Sequence, residues 1–339
     1  MVGSRHARRN GGGSRLNALA LPCLSGPTER FNRQALSALL TWAADRGVHL
    51  DVRSVTEAGP SANDVLAARS ADVVFGPYGS GPMRTLAERF RFESTVVFNH
   101  GGAAIERTGG RIVDILGPAE AYWTGLADVL ALDGVPIEAV AILHSAGGFG
   151  RAVARGATAA LRRAGVEPIL VRVFDEQTAA VAATAALRAG AKAVVGCGRP
   201  EEDLALGHAL AGGPWLGLVV CGVELARERL GERVRGAVGP AQWDASHPPP
   251  IPLLPESDYP AAQALAAGLI AERVLADAGG SHPDRVWGAA LALRTTTFFG
   301  AFAVDADGRQ VAHAPVLVRW AGDPLRRHVI WRPAGTLPA

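Results

Sequence analysis

The chain has 339 residues, of which 48% are hydrophobic and 6% aromatic, and a formal net charge of +2 at pH 7. This length is sufficient for two ordinary domains, and no apolar run reaches the roughly 18 residues that a membrane-spanning helix needs. Residues 1–15 contain four arginines and no acid. The rest of the chain is therefore nearly neutral, which argues against nucleic acid as the main partner.

The N-terminal segment is basic and rich in glycine, and we predict a disordered tail over residues 1–15. The apolar run that follows, LNALALPC at 16–23, is shorter than the core of a usual export signal. In addition, Pro22 stands directly before Cys23, where a lipoprotein signal carries a small residue. We therefore predict a first strand over 17–22 and no convincing export signal in the chain as written.

The first third of the chain alternates strand and helix patterns. After the strand at 17–22 comes a helix that ends at Gly47, a strand at 49–54 and a helix that begins after Ser61, a plausible N-cap. A strand at 71–75, a helix at 82–90 and a strand at 95–99 follow. This β-α-β-α-β order predicts parallel strands joined by right-handed crossovers.

A second set of similar units occupies residues 119–238. We predict strands at 139–144, 169–174, 193–196 and 216–220, and helices at 121–132, 149–164, 178–189, 201–211 and from Val223 onward. The proline-rich stretch 244–258 reads as a connection. Beyond it we predict helices at 259–278 and 286–297, a turn at 305–308, and strands at 314–320 and 328–331.

Two segments share the order apolar strand, glycine-rich bend and helix start. They are VVFGPYGSGPMRT at 73–85 and VAILHSAGGFGRAVA at 140–154. Backbone N–H groups at such helix starts can hold a polar or anionic small molecule. We therefore predict a small-molecule ligand between two similar α/β lobes.

The sequence offers no recognisable catalytic or metal-binding pattern. Cys23, Cys197 and Cys221 form neither CxxC nor a zinc spacing, and we predict buried free thiols, although a Cys197–Cys221 bridge stays open. The histidines show no metal spacing, and Ser80 is not in a G-x-S-x-G elbow. A dinucleotide-binding GxGxxG fingerprint is also absent. We predict that the protein is not an enzyme and needs no cofactor or metal.

Four segments carry a resemblance to a known fold: GPYGSGP at 76–82, AILHSAGGFGRAVARG at 141–156, GAVGPAQWD at 236–244 and FGAFAVDADGRQVAHAPVLVRW at 299–320. In this order the chain resembles the type I periplasmic-binding-protein fold over about residues 16–335. It is most similar to the leucine/isoleucine/valine- and amide-binding substrate-binding proteins of ABC transporters.

The resemblance implies an α/β protein with two Rossmann-like lobes, whose parallel sheets are flanked by helices and joined by a three-segment hinge. Lobe one would comprise 16–117 and 245–312, and lobe two 118–244 and 313–339. The chain would cross between lobes near Gly117, Asp244 and Ala312. A ligand in the cleft would draw the lobes together.

Nine residues at the ends of strands are candidates for ligand binding: Tyr78, Ser80, Gly81, His100, Gly101, Gly102, Ala103, Phe149 and Glu224. The Ser80 hydroxyl either binds a carboxylate or amide oxygen or caps the helix. Tyr78 either lines the pocket, as in amide-binding relatives, or packs in its loop. His100 either contacts ligand or is structural.

Three of these positions bear on which ligand is bound. Amino-acid-binding members usually carry threonine where this chain has Ala103, which speaks against a plain α-amino acid. Phe149 stands where the family usually has tyrosine and offers an apolar ring, either to the ligand or to the core. Glu224 either pairs with a ligand ammonium, as the resemblance implies, or is a solvated carboxylate at a helix start. Trp243 either walls the cleft or packs between the lobes.

Two functions remain open from the sequence. The first is the substrate-binding protein of an ABC transporter, with a permease as partner, capturing an amino acid, amide, or aromatic or branched acid. The second is a cytoplasmic ligand sensor of the same fold that acts on a regulatory protein. Localisation follows the same division, because the resemblance implies a periplasmic protein whereas a chain that starts at Met1 would be cytoplasmic. Neither reading requires a membrane-spanning segment.

Overall fold

The structure, a computed structural model, describes residues 16–106, 109–255 and 257–334. The predicted tail at 1–15 lies outside these ranges. Five parallel strands form the first sheet, in the order β2-β1-β3-β4-β5. They are β1 Asn17–Ala20, β2 His49–Val52, β3 Val73–Phe75, β4 Val96–Asn99 and β5 Arg111–Asp114. The connecting helices are α1 Glu29–Arg46, α2 Ala62–Ser70 and α3 Ser80–Arg89.

The second sheet has seven strands in the order β14-β13-β10-β9-β8-β6-β7. Its parallel part is formed by β6 Val140–His144, β7 Leu170–Val173, β8 Ala193–Cys197, β9 Trp215–Leu218 and β10 Val238–Ala241. The last two strands, β13 Val316–Ala321 and β14 Arg326–Trp331, are antiparallel additions. Its helices are α4 Leu126–Leu132, α5 Gly148–Arg163, α6 Ala179–Arg188, α7 Pro200–Leu210 and α8 Leu225–Leu230.

The long helix α9, Tyr259–Ala278, returns to the first sheet and packs on α1. The small residues of α9 let it lie close to α1. At Gly268 a Cβ would lie only 2.6 Å from an atom of the buried Trp42 ring. Helix α10, Pro283–Ala292, and the hairpin β11 Thr295–Thr297 and β12 Gly300–Phe302 complete this side. Residues of β1, β3, β4, α1 and α9 share one apolar core.

Three connections between the two sheets lie side by side. The Gln242 side chain accepts from Gly117 N at 3.0 Å and donates to Gly117 O at 3.1 Å. The Gln310 amide donates to Ile115 O at 3.2 Å and accepts from His313 N at 3.2 Å. These buried side chains therefore bind the three crossing segments to one another. That the three segments act as a hinge, with the lobe boundaries given above, stays a prediction.

The structure confirms the α/β class, the parallel strands and most of the predicted elements, including 259–278. The prediction of helix over 286–297 was wrong at its end, because Thr295–Thr297 pairs with Gly300–Phe302 as a hairpin. The strand Arg111–Asp114 was missed. All three cysteines are free and buried, so the Cys197–Cys221 bridge is excluded. None of the helices in the described part of the chain combines the length and apolar character needed to cross a bilayer.

Candidate functional site

A cavity of about 380 Å³ lies between the two sheets. The loops after β1, β3 and β4 contribute its first wall, and the start of α5 with the loops after β8 and β9 contributes its second. Tyr259, at the start of α9, also lines it. The carboxyl ends of parallel strands and the starts of the following helices therefore converge on this space, which is where ligands bind in such sheets.

The loop that carries Tyr78 is held in place by a buried amide. Asn32 on α1 accepts from Tyr78 N at 2.9 Å and from Cys23 N at 3.0 Å, and donates to Tyr78 O at 3.1 Å. The same loop touches the loop after β4, since Gly79 N donates to Gly101 O at 3.0 Å. A Cβ at Gly101 would lie 2.8 Å from Pro77 O and closer still to Tyr78 Cα. Position 101 therefore has no room for a side chain unless the backbone moves.

Ser80 does not cap its helix. The N-cap of α3 is Gly79, which has φ 110°, a conformation that favours glycine, and no side chain caps the helix end. The Ser80 hydroxyl instead accepts from Ala104 N at 3.0 Å, which ties α3 to the second loop of the first wall. The hydroxyl proton remains for another acceptor, and Ser80 and Gly81 both line the cavity.

Aromatic rings make up much of the cavity wall. Phe31 and Tyr78 lie with ring centroids 5.3 Å apart on the side of the first sheet. Tyr122 and Phe149 pack edge to face, 5.6 Å apart, on the side of the second sheet. The Tyr78 and Tyr259 hydroxyls are 3.5 Å apart. Burial raises the pKa of Tyr78, Tyr122 and Tyr259 above the usual value, so all three hydroxyls stay protonated at neutral pH.

Charged side chains also border the cavity. They are Arg84 on α3, Arg199 at the start of α7, and Glu57. Arg84 reaches toward the second wall, because a Cβ at Gly148 would lie 3.6 Å from its Nη1 atom. Arg199 bonds Glu202 at 2.8 Å, and this hydrogen bond raises the Arg199 pKa, with a smaller contribution from Glu57. The described residues hold no cluster of histidine, cysteine and acidic groups suited to a metal ion.

Six of the nine sequence-predicted residues line this cavity: Tyr78, Ser80, Gly81, Gly101, Ala103 and Phe149. Their binding of ligand stays a prediction. His100 and Gly102 do not line the cavity and instead pack inside the loop after β4. His100 is 2% exposed, and burial lowers its pKa to about 4, so the ring is neutral. Gly102 N donates to Asn99 Oδ1 at 2.8 Å, and a Cβ there would press on Met83.

The ninth residue, Glu224, is not at the cavity. Its carboxylate forms ion pairs with Arg227 at 2.9 Å and with Arg327 at 3.2 Å, and both arginines belong to the second lobe. Its binding of a ligand ammonium stays a prediction, one that these ion pairs do not favour. Four further residues line or border the cavity without a sequence pattern that marks them: Phe31, Tyr122, Tyr259 and Arg84. Only the Pro260 that follows Tyr259 at a helix start gave a local signal, and it did not show where the ring would point.

No protein-family model and no curated protein matches the sequence. Solved structures do match. The solute-binding protein of an ABC transporter from Rhodopseudomonas palustris HaA2, in complex with p-hydroxybenzoic acid, has a TM-score of 0.78 and 16% identity, covering 94% of this chain and 96% of that one. A leucine-binding protein from Thermotoga maritima MSB8 has a TM-score of 0.77 and 12% identity, covering 94% and 99%.

A further match is the solute-binding protein of an R. palustris ABC transporter in complex with benzoate, with a TM-score of 0.74 and 13% identity, covering 93% of this chain and 96% of that one. The structural similarity establishes the fold, whereas sequence identities this low do not identify the ligand. They confirm the expectation drawn from the four sequence segments: the chain has the two-lobed α/β fold of type I periplasmic binding proteins.

Proposed function

We propose that this protein is the solute-binding protein of an ABC transporter and that it captures a small aromatic carboxylate between its lobes. The observation that carries the proposal is the convergence of the α3 and α5 helix starts on a cavity walled by aromatic rings. Bound solute would contact both walls only when the lobes are closed, so binding would favour closure. The closed form would then be recognised by a permease.

The apolar part of the cavity favours an aromatic ligand body. Phe31, Tyr78, Tyr122, Phe149 and Tyr259 present ring faces and edges from both walls. A volume of about 380 Å³ is at the lower end of the range for small-molecule sites, roughly 300–1,000 Å³. Such a space suits a single substituted ring better than a larger solute.

The polar part favours an anionic group. The N–H groups of the first turn of an α-helix have no partner within the helix, and the helix dipole adds partial positive charge there. Here two such starts border the cavity, at Ser80–Gly81 and at Phe149, and the Arg84 side chain reaches from α3 to Gly148. A carboxylate bound at this point would receive both backbone and charge-assisted hydrogen bonds.

A plain α-amino acid fits less well. Ala103 offers no hydroxyl where amino-acid-binding members usually have threonine, and Glu224 is committed to Arg227 and Arg327. The structural neighbours support a transporter role over the sensor alternative, since those named above are described as solute-binding or amino-acid-binding proteins. These neighbours are binding proteins, in keeping with the prediction that this chain is not an enzyme.

Thermal unfolding with matched pairs of acid and amide tests the proposal. We would compare benzoate with benzamide, and 4-hydroxybenzoate with 4-hydroxybenzamide, with leucine as the amino-acid reference. An acid at 100 times its dissociation constant adds about 2.7 kcal/mol to the free energy of unfolding, and the uncharged amide should add much less. A shift produced by leucine alone, or equal shifts from acid and amide, would refute the proposed ligand class.

Variants of α3 make the test specific. Arg84→Gln should weaken binding of the acid, because it removes a positive charge that borders the cavity and reaches the start of α5. Arg89→Gln is the matched control, since Arg89 is exposed at the far end of the same helix. Equal affinities of the two variants would exclude Arg84 from the binding site.

A further inference from the structure

The two halves of the molecule are joined outside the cavity by charged side chains. Arg30, on α1 of the first sheet, forms a bidentate pair with Glu228, on α8 of the second, with N–O distances of 2.5 and 2.6 Å. This hydrogen bond is the main reason that the Arg30 pKa is raised and the Glu228 pKa lowered. Neither side chain lines the cavity.

A buried carboxylate fixes the start of α8, the helix that carries Glu228. Asp258, just before α9, accepts from Glu224 N at 3.1 Å and bonds Arg327 of β14 at 2.7 Å. Asp258 is 1% exposed, so its hydrogen bonds are shielded from water. Arg327 also donates to Gly222 O. Asp258, which precedes α9, thus binds the backbone at the start of α8 and the Arg327 side chain of the second sheet.

Apolar packing continues between these polar contacts. Phe31 follows Arg30 on α1 and is 4% exposed. It shares a core cluster with Leu225 and Ala226 of α8 and with Tyr259. The Arg30–Glu228 pair therefore lies at the edge of a packed contact between α1, α8 and the start of α9. The N–O distances in this pair depend on how closely the two halves of the molecule approach each other.

We propose that Arg30 and Glu228 are positioning residues that set solute affinity by stabilising the closed arrangement of the lobes, while Asp258 and Arg327 orient α8 so that Glu228 meets Arg30. This inference rests on the proposed function for its effect on affinity. Its effect on the distance between lobes requires no ligand. Apparent affinity falls in proportion to the fraction of molecules in the binding-competent form, so residues that never touch solute can change it.

The test uses Glu228→Gln, which keeps the side-chain shape and removes the charge. The matched control is Arg33→Gln, since Arg33, which lies on α1 like Arg30, pairs with Glu29 within that helix at 2.7 Å. Spin labels at Glu88→Cys and Arg163→Cys, exposed on α3 and α5, report the distance between lobes. The three native cysteines are buried and should not take the label.

We expect Glu228→Gln to shift the ligand-free distance distribution toward longer values and to raise the dissociation constant for the acid about two- to five-fold, as for a partly exposed ion pair. Arg33→Gln should change neither. Added salt should weaken binding more in the wild type than in Glu228→Gln, because it screens the pair. The exchanged double variant, Arg30→Glu with Glu228→Arg, should restore both readouts relative to either single reversal.

The proposal is overturned if Glu228→Gln matches Arg33→Gln in both distance and affinity, or if the exchanged double variant behaves no better than the single reversals. These results are distinct from a failure of the proposed function. If no acid binds any form of the protein, the distance measurements on ligand-free protein still decide whether Arg30 and Glu228 hold the lobes together.

Discussion

Gly101→Ala should destabilise the protein through the contact between the two loops of the first wall. The added Cβ would lie 2.8 Å from Pro77 O and closer still to Tyr78 Cα, whereas ordinary contacts begin near 3.4 Å. Both neighbours are backbone atoms, so one loop must move away from the other. Overpacking of this kind costs about 1–3 kcal/mol.

The movement would also stretch the hydrogen bond from Gly79 N to Gly101 O, now 3.0 Å long. Such a bond contributes about 1 kcal/mol. We therefore expect the free energy of unfolding to fall by about 2–4 kcal/mol, measured by urea denaturation followed by circular dichroism. Acid binding should weaken as well, because Tyr78 and the start of α3 move with the loop.

Gly81→Ala is the matched control. Gly81 also lines the cavity near the start of α3, but a Cβ there meets nothing within 4 Å. Replacing glycine by alanine within a helix is favourable by about 0.5–1 kcal/mol, so this variant should be as stable as the wild type or slightly more so. If the free energies of unfolding of Gly101→Ala and Gly81→Ala differ by less than about 0.5 kcal/mol, the close approach of the two loops is refuted.

Three further predictions concern helix capping, a buried acid and the ring on α5. Ser61 caps α2, with its hydroxyl accepting from Asp64 N at 3.3 Å, so Ser61→Ala should lower the free energy of unfolding by about 1 kcal/mol in urea denaturation; no loss would contradict the capping role. Burial raises the pKa of Asp203 from 3.8 to about 7, so the native state binds the proton more tightly and stability should fall as pH rises from about 4 to 7. Asp203→Asn should flatten that slope, and identical slopes in the two proteins would refute the assignment. Phe149→Ala should weaken acid binding about ten-fold in calorimetry, since an aromatic contact contributes about 0.5–1.5 kcal/mol beyond its burial, and unchanged affinity would place the ring outside the site.

Elements with a long, one-sided pattern were predictable from the sequence. Helix α9 was expected at 259–278 and is observed there, because Pro260 marks its start and Gly279 its end. The error at 286–297 arose from the three threonines at Thr295–Thr297, whose β-branched side chains suit a strand and pair with Gly300–Phe302. The missed strand Arg111–Asp114 has only two fully buried apolar residues, too few for a periodic signal.

The site was predictable only where its residues follow a local sequence pattern. Glycine-rich bends after a strand mark the loops that reach the cavity, so Tyr78, Gly101 and Phe149 were identified locally. Phe31 and Tyr122 reach the cavity only through tertiary packing between distant elements, which leaves no local pattern. The placement of Glu224 likewise depended on Arg327, about a hundred residues further along the chain, and no spacing rule connects the two.

The central claim is that a small carboxylate binds in the cavity between the two sheets. Titration calorimetry with 4-hydroxybenzoate on the wild type and on Gly81→Phe tests it directly, because this substitution adds a ring at a wall position with open space. The account predicts one saturable site in the wild type and in Gly81→Ala, and no binding to a folded Gly81→Phe protein. Equal binding to all three proteins, or no binding to the wild type, would contradict it.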